Sequence, residues 1–437
     1  MKAREILLAL ALVAIGVFTY YAKSGRLEID GDGGGLFGGP TEEFLFEETR
    51  ELAGPPPQEL QVINAHGAVE VRGAETDRIT VTFRKSIRRK NRVEAAKVAD
   101  QLKMTVNRDG ARLILSTNRD DFRRKGFETG FTVTAPAGQA VLIRNSYGPV
   151  KAEKTGTTDI VTPHGPVQAG DVGGRLSVEA SYEDVDVHGL RDGGRIAAPH
   201  AKIIAVGVQG ELFVEGSYGE VFVENADRSV HVEALHSSVT GRNLKGEVEI
   251  RNSYDDVTLS GAGPTKIFGH HSDVAADGVA GPLEIGDGNA RLVIAGLNGD
   301  LRIEGTNLAV RAERVRANDI FISSSYENVE LLAFTGKAEI VLKHADVTLA
   351  PESFAGPIDV RGDHAGVTLA WPAGARAPFE AETKSGAIRW NLDEKPSFEQ
   401  ADGTSLTRAF TGAPGPLVRI RTTYGDITIG EGPKALK

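Results

Sequence analysis

Residues 216–241 read GSYGEVFVENADRSVHVEALHSSVTG, in which Tyr218 and His236 are 18 positions apart. Each of these aromatic residues precedes a short run in which apolar and polar residues alternate, such as EVFVE after the tyrosine. Alternation with a period of two is typical of a β-strand with one buried face. Small and polar residues beside the two rings, glycine above all, indicate tight turns. The stretch therefore predicts short strands joined by turns, repeated about every 18 residues.

The same turn recurs along most of the chain after residue 145. Successive turns are 17 to 20 residues apart, and such regularity indicates a stacked repeat architecture. Of the ten histidines, seven lie in this column once His66 is included. The recurring positions are Tyr147, His164, Tyr182, His200, Tyr218, His236, Tyr254, His271, Asn289, Asn307, Tyr326, His344 and His364.

Apolar residues mark two strands in each repeat. Val221, Val239 and Val257 form one column, and Val230 and Val248 belong to a second column that is nine residues out of phase. A hexapeptide β-helix would place apolar residues every six positions, so this spacing favours a flattened coil of two strands. One coil cannot bury its own apolar residues, whereas stacked coils can. The sequence therefore predicts an all-β fold, a β-solenoid on the order of 60 Å long at about 4.8 Å per coil.

Aromatic residues of successive coils should lie directly above one another. Stacked rings gain roughly 0.5–1.5 kcal/mol per pair beyond burial, so structural stacking in the turns is the main expectation. The exposed tyrosines of this column are also a candidate strip for contact with a ligand. They are Tyr147, Tyr182, Tyr218, Tyr254 and Tyr326.

Catalytic and metal chemistry receive little support from the residue types present. Most histidines of the column alternate with tyrosine and are about 9–10 Å apart at the strand spacing, too far to share one ion held at about 2.0–2.1 Å. Only His344 and His364 occupy adjacent coils. The chain has no cysteine, which removes disulfides and thiolate ligands. No G-x-S-x-G or H-E-x-x-H motif occurs. We therefore predict no enzyme activity, no metal and no cofactor.

The N-terminus contains an apolar run from Ile6 to Tyr21, preceded by Lys2 and Arg4. Its 16 residues fall just short of the roughly 17–25 that span a bilayer. An uncleaved anchor is the first interpretation, a cleaved signal peptide with its site after Ser24 the second, and a buried helix the third. The predicted anchor residues are Ile6, Leu7, Leu8, Leu10, Leu12, Val13, Ile15, Val17 and Phe18.

Composition along the chain divides it into five segments. Residues 1–24 are the anchor or signal, and residues 25–58 are a Gly/Pro-rich tether. Residues 59–144 are an N-terminal cap with one helix. Residues 145–371 are the solenoid repeats, and residues 372–437 are irregular C-terminal coils with a cap.

The cap segment differs from the rest in helix content and in charge. A helix is predicted near residues 91–103, with Asn91 as its N-cap. The basic runs at 84–92 and 123–125 are interpreted as a solvated surface, with contact to anionic lipid or acidic cell-wall polymer as the alternative. The net charge of −10 argues against a nucleic-acid partner.

Several turns resemble those of a known family. NSYGPVKAEKTGTTDIVTPHGPVQAGDVGG and IRTTYGDITIGEG look like the repeats of the bacterial "putative adhesin" beta-strand-repeat proteins, also called toastrack domains. The order of membrane segment, helix, TAPAG element and repeats is similar too. The resemblance spans roughly residues 60–430 and implies an envelope protein with a β-solenoid-like ectodomain, without catalytic residues to carry over. This chain departs from the family in using Tyr and His where Ser or Asn are commoner.

Three functional hypotheses follow from these observations. The first is a non-enzymatic scaffold for adhesion or interaction in the cell envelope, held in the bacterial cytoplasmic membrane by one N-terminal segment with the C-terminal domain outside. It could bind envelope polysaccharide or envelope proteins, and it would be secreted or periplasmic if the segment is cleaved. The second is a polysaccharide-active enzyme on the same scaffold. The third is a partner in envelope-stress signalling.

Overall fold

Val221, Val239 and Val257 lie side by side on neighbouring parallel strands, in the register that the 18-residue spacing predicts. The computed structural model describes residues 41–122, 126–393, 396–400, 407–411 and 414–432. Over these residues the chain is an all-β solenoid of about 13 turns with coils of about 18 residues. The predicted fold class is confirmed to this extent, since nearly all regular structure is parallel strand.

The solenoid is built from short strands. In the first third of the chain they are β1 (Glu42–Leu52), β2 (Glu59–His66), β3 (Val69–Ala74), β4 (Ile79–Arg89), β5 (Met104–Asp109), β6 (Arg112–Thr117), β7 (Phe127–Pro136), β8 (Ala140–Tyr147), β9 (Val150–Glu153), β10 (Thr158–Thr162), β11 (Val167–Val172) and β12 (Leu176–Ala180). In the middle they are β13 (Val185–Leu190), β14 (Gly194–Pro199), β15 (Lys202–Val208), β16 (Leu212–Ser217), β17 (Glu220–Ala226), β18 (Val230–Leu235), β19 (Ser238–Leu244), β20 (Val248–Ser253), β21 (Val257–Ala262), β22 (Thr265–Phe268), β23 (Val274–Val279) and β24 (Leu283–Ala295). In the last third they are β25 (Leu301–Ser325), β26 (Val329–Lys343), β27 (Val347–Pro351), β28 (Ile358–Asp363), β29 (Val367–Trp371), β30 (Phe379–Thr383), β31 (Ile388–Asn391), β32 (Ser397–Gln400), β33 (Thr407–Thr411), β34 (Val418–Thr422) and β35 (Ile427–Glu431).

The strands form two facing sheets, one for each side of the flattened coil. The first sheet runs β5-β6-β2-β8-β10-β12-β14-β16-β18-β20-β22-β24-β25-β26-β28-β34-β30-β33-β32. The second runs β1-β4-β7-β3-β9-β11-β13-β15-β17-β19-β21-β23-β24-β25-β26-β27-β29-β35-β31. Strands β24, β25 and β26 turn through a corner and contribute to both sheets.

Coils at both ends are stacked out of chain order. The coil of β2 and β3 lies between the coil of β6 and β7 and that of β8 and β9. At the other end, β34 and β35 lie between the coil of β28 and β29 and the coil of β30 and β31. The last described strands, β34 and β35, are therefore interior strands, and the stack ends beyond them at β32 and β31. At the opposite end the outermost strands are β1, the first described strand, and β5.

Inward side chains from both sheets fill the space between them. Val, Ile, Leu and Ala dominate this core, and larger rings such as Phe83, Phe131 and Phe379 are buried near its ends. Alternate residues point outward, which is the period-two pattern seen in the sequence. The core is continuous through the rod, so each coil is stabilised by the apolar residues of its neighbours.

A helix, α1 (Arg92–Ala99), lies within the predicted interval. The Oδ1 atom of Asn91 accepts a hydrogen bond of 2.9 Å from the backbone of Glu94, as expected of an N-cap. A three-residue 3-10 helix follows at Arg119–Asp121. In the part of the chain that the structure describes, no helix has the length and apolar character needed to cross a membrane. The predicted anchor, residues Ile6 to Phe18, lies outside the described residues.

Candidate functional site: a ladder of aromatic rings

One corner of the solenoid carries a tyrosine or histidine on almost every coil. Parallel pairing without register shift places the corner residues above one another, as where β2 pairs His66 with Tyr147. We call the resulting column the aromatic ladder. From one end to the other it contains His66, Tyr147, His164, Tyr182, His200, Tyr218, His236, Tyr254, His271, Tyr326, His344, His364 and Tyr424.

Neighbouring rings of the ladder stack almost face to face. Their centroids are between 4.3 Å, for His364 and Tyr424, and 5.6 Å, for His164 and Tyr182. Most pairs are within 20° of parallel; His364–Tyr424 is at 27° and His344–His364 is tilted by 35°. The stacking predicted from the sequence is therefore present.

The ladder points outward. All five predicted contact tyrosines are exposed, from 46% for Tyr147 to 62% for Tyr326. Because each ring face is covered by the next ring, the ladder presents ring edges, phenol hydroxyls and imidazole nitrogens to solvent. A ligand lying along it would meet alternating polar groups about one strand spacing apart.

Backbone geometry at these corners is unusual for large side chains. From Tyr182 to His364 every residue of the ladder has a positive φ, between 53° and 70°. Such left-handed backbone is a marked outlier for a bulky residue such as Tyr, whereas His adopts it more often than most residue types. The residue after the ring is often glycine because the preceding coil approaches closely there. A Cβ at Gly219 would stand 2.0 Å from the carbonyl oxygen of Ala201.

The ladder is interrupted at two coils. Asn289 and Asn307 occupy the corner there, also with positive φ, and the Nδ2 atom of Asn307 donates to Oδ1 of Asn289 over 2.6 Å. His271 is the last ring before the interruption, and Tyr326 is the first ring after it.

Asp287 is buried beside this interruption. Its carboxylate accepts hydrogen bonds from the backbone N–H groups of His271 and Gly288, at 3.0 and 2.5 Å, and of Ser272 at 3.4 Å. Burial raises the pKa of the Asp287 carboxyl, and the three N–H groups act in the opposite direction. The side chain therefore holds the corner loop at His271 in place from inside.

Two ladder residues connect the out-of-order coils to the rest. His66 belongs to the inserted coil of β2 and β3, and Tyr424 to the inserted coil of β34 and β35. Sequence reasoning placed His66 in the column but missed Tyr424, which comes 60 positions after His364. The available signal was the TTYGD motif, which matches the Tyr-Gly turns of earlier coils.

A second feature lies on the outer face of the first sheet. The rings of Phe213 and His231 stack there at 4.8 Å and 8°. Beside these rings, Arg195 forms an ion pair with Glu215 at 2.5 Å. Glu249 contacts both His231 and Arg251. These residues line a shallow depression together with Glu233. Its carboxylates are held in ion pairs with arginine or lie beside the imidazole.

The histidines have no metal-binding arrangement among the residues that the structure describes. No group of three or more His, Cys, Asp or Glu side chains converges there. His344 and His364 are on adjacent coils with centroids 4.7 Å apart, and they belong to the ring stack.

The basic run at 84–92 pairs with an acidic strand. β4 lies antiparallel to β1, where Arg84 contacts Glu47 at 3.0 Å. Lys85 is buried, donates to the carbonyl of Ala99 at 2.9 Å, and has a pKa lowered by that burial. The positive charge of this run is therefore partly neutralised by residues of the same chain. The second basic run, residues 123–125, lies outside the described residues.

Comparisons with known proteins add little to this description. No protein-family model matches the chain, and no curated protein matches it. A crystal structure of a protein from Clostridium sporogenes, described as a "putative cell adhesion protein", is similar over 89% of this chain and 100% of that chain. The identity is 9% and the TM-score is 0.17. A likeness at that level carries no argument, and membership of the toastrack family stays a prediction.

Proposed function

We propose that this protein is a non-enzymatic scaffold of the bacterial cell envelope that acts in adhesion or interaction through the aromatic ladder. The observation that supports the proposal is the ladder itself, whose tyrosines are about half exposed or more while the backbone beneath most of them is left-handed. At the opposite corner of the coils most left-handed positions are Asn, Asp or Gly, and the exceptions are Lys154, Arg314 and Ala333. Large rings at strained positions indicate a role in contact as well as in packing.

The proposed partner is an extended polymer or a partner surface in the envelope, either polysaccharide or protein. Each coil offers one ring edge with one polar group, so a single contact is weak. Repetition along the rod makes the contacts add once the first is formed. The apolar segment at Ile6–Phe18 and the glycine-rich stretch after it would hold the rod outside the cytoplasmic membrane, or release it if the segment is cleaved.

The test replaces the five predicted tyrosines, at positions 147, 182, 218, 254 and 326, with serine in the full-length chain. Binding to isolated envelope polysaccharide and to intact cells is then compared with the original protein, and circular dichroism checks the fold. A matched control replaces outward phenylalanines away from the ladder and from the depression with serine, namely Phe222, Phe268 and Phe321. Loss of binding only in the tyrosine variant supports the proposal. Unchanged binding by a folded tyrosine variant rules out the aromatic ladder as the contact surface.

A polysaccharide-active enzyme is the second candidate. It is favoured by the depression on the first sheet, where Glu215 and Glu233 are direct neighbours across β16 and β18. Two close carboxylates are the usual requirement for glycoside cleavage. Incubating the full-length protein with acidic and neutral polysaccharides and measuring new reducing ends tests this reading. New reducing ends that form with the original protein but not with the Glu215→Gln and Glu233→Gln variants would favour an enzyme.

A further inference from the structure

The interruption of the aromatic ladder keeps the alternation of the rings in phase. The order on one side is Tyr254 then His271, and on the other side Tyr326 then His344. A tyrosine at 289 and a histidine at 307 would continue the alternation without a break. The ladder therefore lacks two rings from an otherwise regular series.

This geometry creates a gap with aromatic walls, which we call the ladder notch. Three strand steps separate His271 from Tyr326, or about 14 Å. Subtracting the thickness of the two rings leaves about 10 Å of free height. Asn289 and Asn307 form the floor, and their amides end well short of the level that tyrosine rings reach. At one rim Gly288 adds no side chain, and the imidazole of His270 fills that space, with Nδ1 3.6 Å from where a Cβ of Gly288 would stand.

The floor of the notch offers hydrogen bonds without charge. The bond between the two asparagines uses Oδ1 of Asn289. In the described part of the chain, Nδ2 of Asn289 and Oδ1 of Asn307 make no further hydrogen bond, so they remain as donor and acceptor. The carboxylate of Asp287 is turned inward to backbone N–H groups. The rim position that pairs with Gly288 is Thr306, another uncharged residue.

The combination of ring walls and neutral amides selects among ligand classes. A phosphate or carboxylate ligand would need Arg or Lys, and neither forms the floor or walls. A neutral sugar ring has one face of C–H bonds that packs on an aromatic face, and hydroxyls at its edge that pair with amides. We propose that the ladder notch binds up to two neutral pyranose rings, one against the free face of His271 and one against that of Tyr326.

The opposite corner of the solenoid supplies an internal comparison. Asn225 and Asn243 are also 18 residues apart, have positive φ, and share an Nδ2 to Oδ1 hydrogen bond of 2.6 Å. The neighbouring coils carry Gly207 and Gly261 at that corner, so no rings enclose this pair. The same asparagine floor thus occurs once with aromatic walls and once without them.

This inference rests on the proposed function, since it names the ligand class for one part of the ladder. The test uses the full-length protein and a panel of neutral methyl pyranosides and short neutral oligosaccharides. Binding is measured by saturation-transfer NMR on the sugar and by titration calorimetry. The filling variant Asn289→Tyr with Asn307→His restores the alternation at backbone angles that Tyr326 and His344 already tolerate. The control variant is Asn225→Ala with Asn243→Ala.

We expect at least a tenfold loss of sugar affinity in the filling variant and less than a twofold change in the control. A Tyr326→Ser variant should also lose at least tenfold, because it removes one wall. No binding to any neutral pyranoside, or equal binding by the filling variant, overturns the inference. Preference for an aromatic peptide over every sugar overturns it too. If the filling variant still binds polymer, the proposal that the ladder tyrosines contact a ligand is unaffected. The two proposals can therefore fail separately.

Discussion

The rings of His236 and Tyr254 stack with centroids 4.7 Å apart and planes 2° from parallel, although both residues have left-handed backbone, with φ of 53° and 70°. Such a conformation costs a non-glycine residue roughly 1–2 kcal/mol. Two stacking contacts return roughly 1–3 kcal/mol. The two contributions are of similar size, so stacking offsets the strain of the corner on which it depends.

Substitution at Tyr218 separates strain from stacking. Tyr218→Ala removes the contacts with His200 and His236 and keeps the strained backbone, so we expect the local opening free energy to fall by roughly 1–3 kcal/mol. Tyr218→Gly loses the same contacts but relieves the strain, and should open less readily than the alanine variant by about 1 kcal/mol. Native-state hydrogen exchange of the β16 and β17 amides measures this, because repeat proteins need not unfold in one step.

The control for this comparison is Tyr147, which stacks on both sides but is not among the residues with positive φ. There the glycine variant should open at least as readily as the alanine variant. Equal opening of Tyr218→Ala and Tyr218→Gly would show that the left-handed corner stores no strain.

Sequence periodicity was sufficient to predict the coil but not its ends. The columns of Val221 and Val230 could be read directly because each coil follows the previous one in the chain. Where the chain inserts β34 and β35 between earlier coils, spatial neighbours are no longer at a fixed sequence interval. Ile420, for example, pairs with Val360 and Ala381 on its two sides, and no regular spacing connects the three.

The regular register of the coils also made part of the aromatic ladder predictable from the sequence. The ring stack follows from register, and its exposure follows from the outward corner. The left-handed backbone was not predicted, because Tyr does not favour that conformation and, although His adopts it more often than most residues, the neighbouring residues indicated only a tight turn. Pairing of the basic run with β1 was missed because the acidic residues of EEFLFEETREL are about 40 positions away.

Replacement of Ile420 tests the inserted C-terminal coil. Ile420 is fully buried, and Ile420→Ala should cost about 2–5 kcal/mol. Because β34 pairs with both β28 and β30, hydrogen exchange should accelerate in both strands. Ile250→Ala in the middle of the rod is the control, and it should affect β18 and β22 instead. Acceleration confined to residues near 420 in sequence would contradict the insertion.

The stability of the corner near Asp287 should depend on pH. Its pKa is raised in the folded protein, mainly by burial. A raised carboxyl pKa contributes stability that is fully present below the unfolded pKa, near 3.9, and is lost as the pH rises through the folded pKa. We expect Asp287→Asn to remove this contribution, so that its melting temperature relative to the original protein rises as the pH increases from 4 to 7.

The contribution of Asp363 to stability should depend on pH in the opposite direction to that of Asp287. The hydroxyl of Thr423 donates to its carboxylate and is the main cause of a lowered pKa, with His364 adding to it. Its contribution is present above the unfolded pKa and is lost as the pH falls through the folded value. Asp363→Asn should therefore approach the original protein as the pH is lowered. Parallel profiles for the two variants would contradict at least one of the two assignments.

Because neighbouring coils approach closely, substitution at Gly219 should reduce the stability of the protein more than substitution at the equivalent residue of the next coil. A Cβ there would stand 2.0 Å from the oxygen of Ala201, so Gly219→Ala must displace backbone in two coils. The equivalent residue of the next coil, Ser237, has a side chain, and its Oγ accepts a hydrogen bond of 3.1 Å from the Gly219 N–H. Ser237→Ala should cost only about 1 kcal/mol for that bond. Chemical denaturation followed by circular dichroism should show a larger loss for Gly219→Ala, and the reverse order would mean that the coils can separate at this corner without penalty.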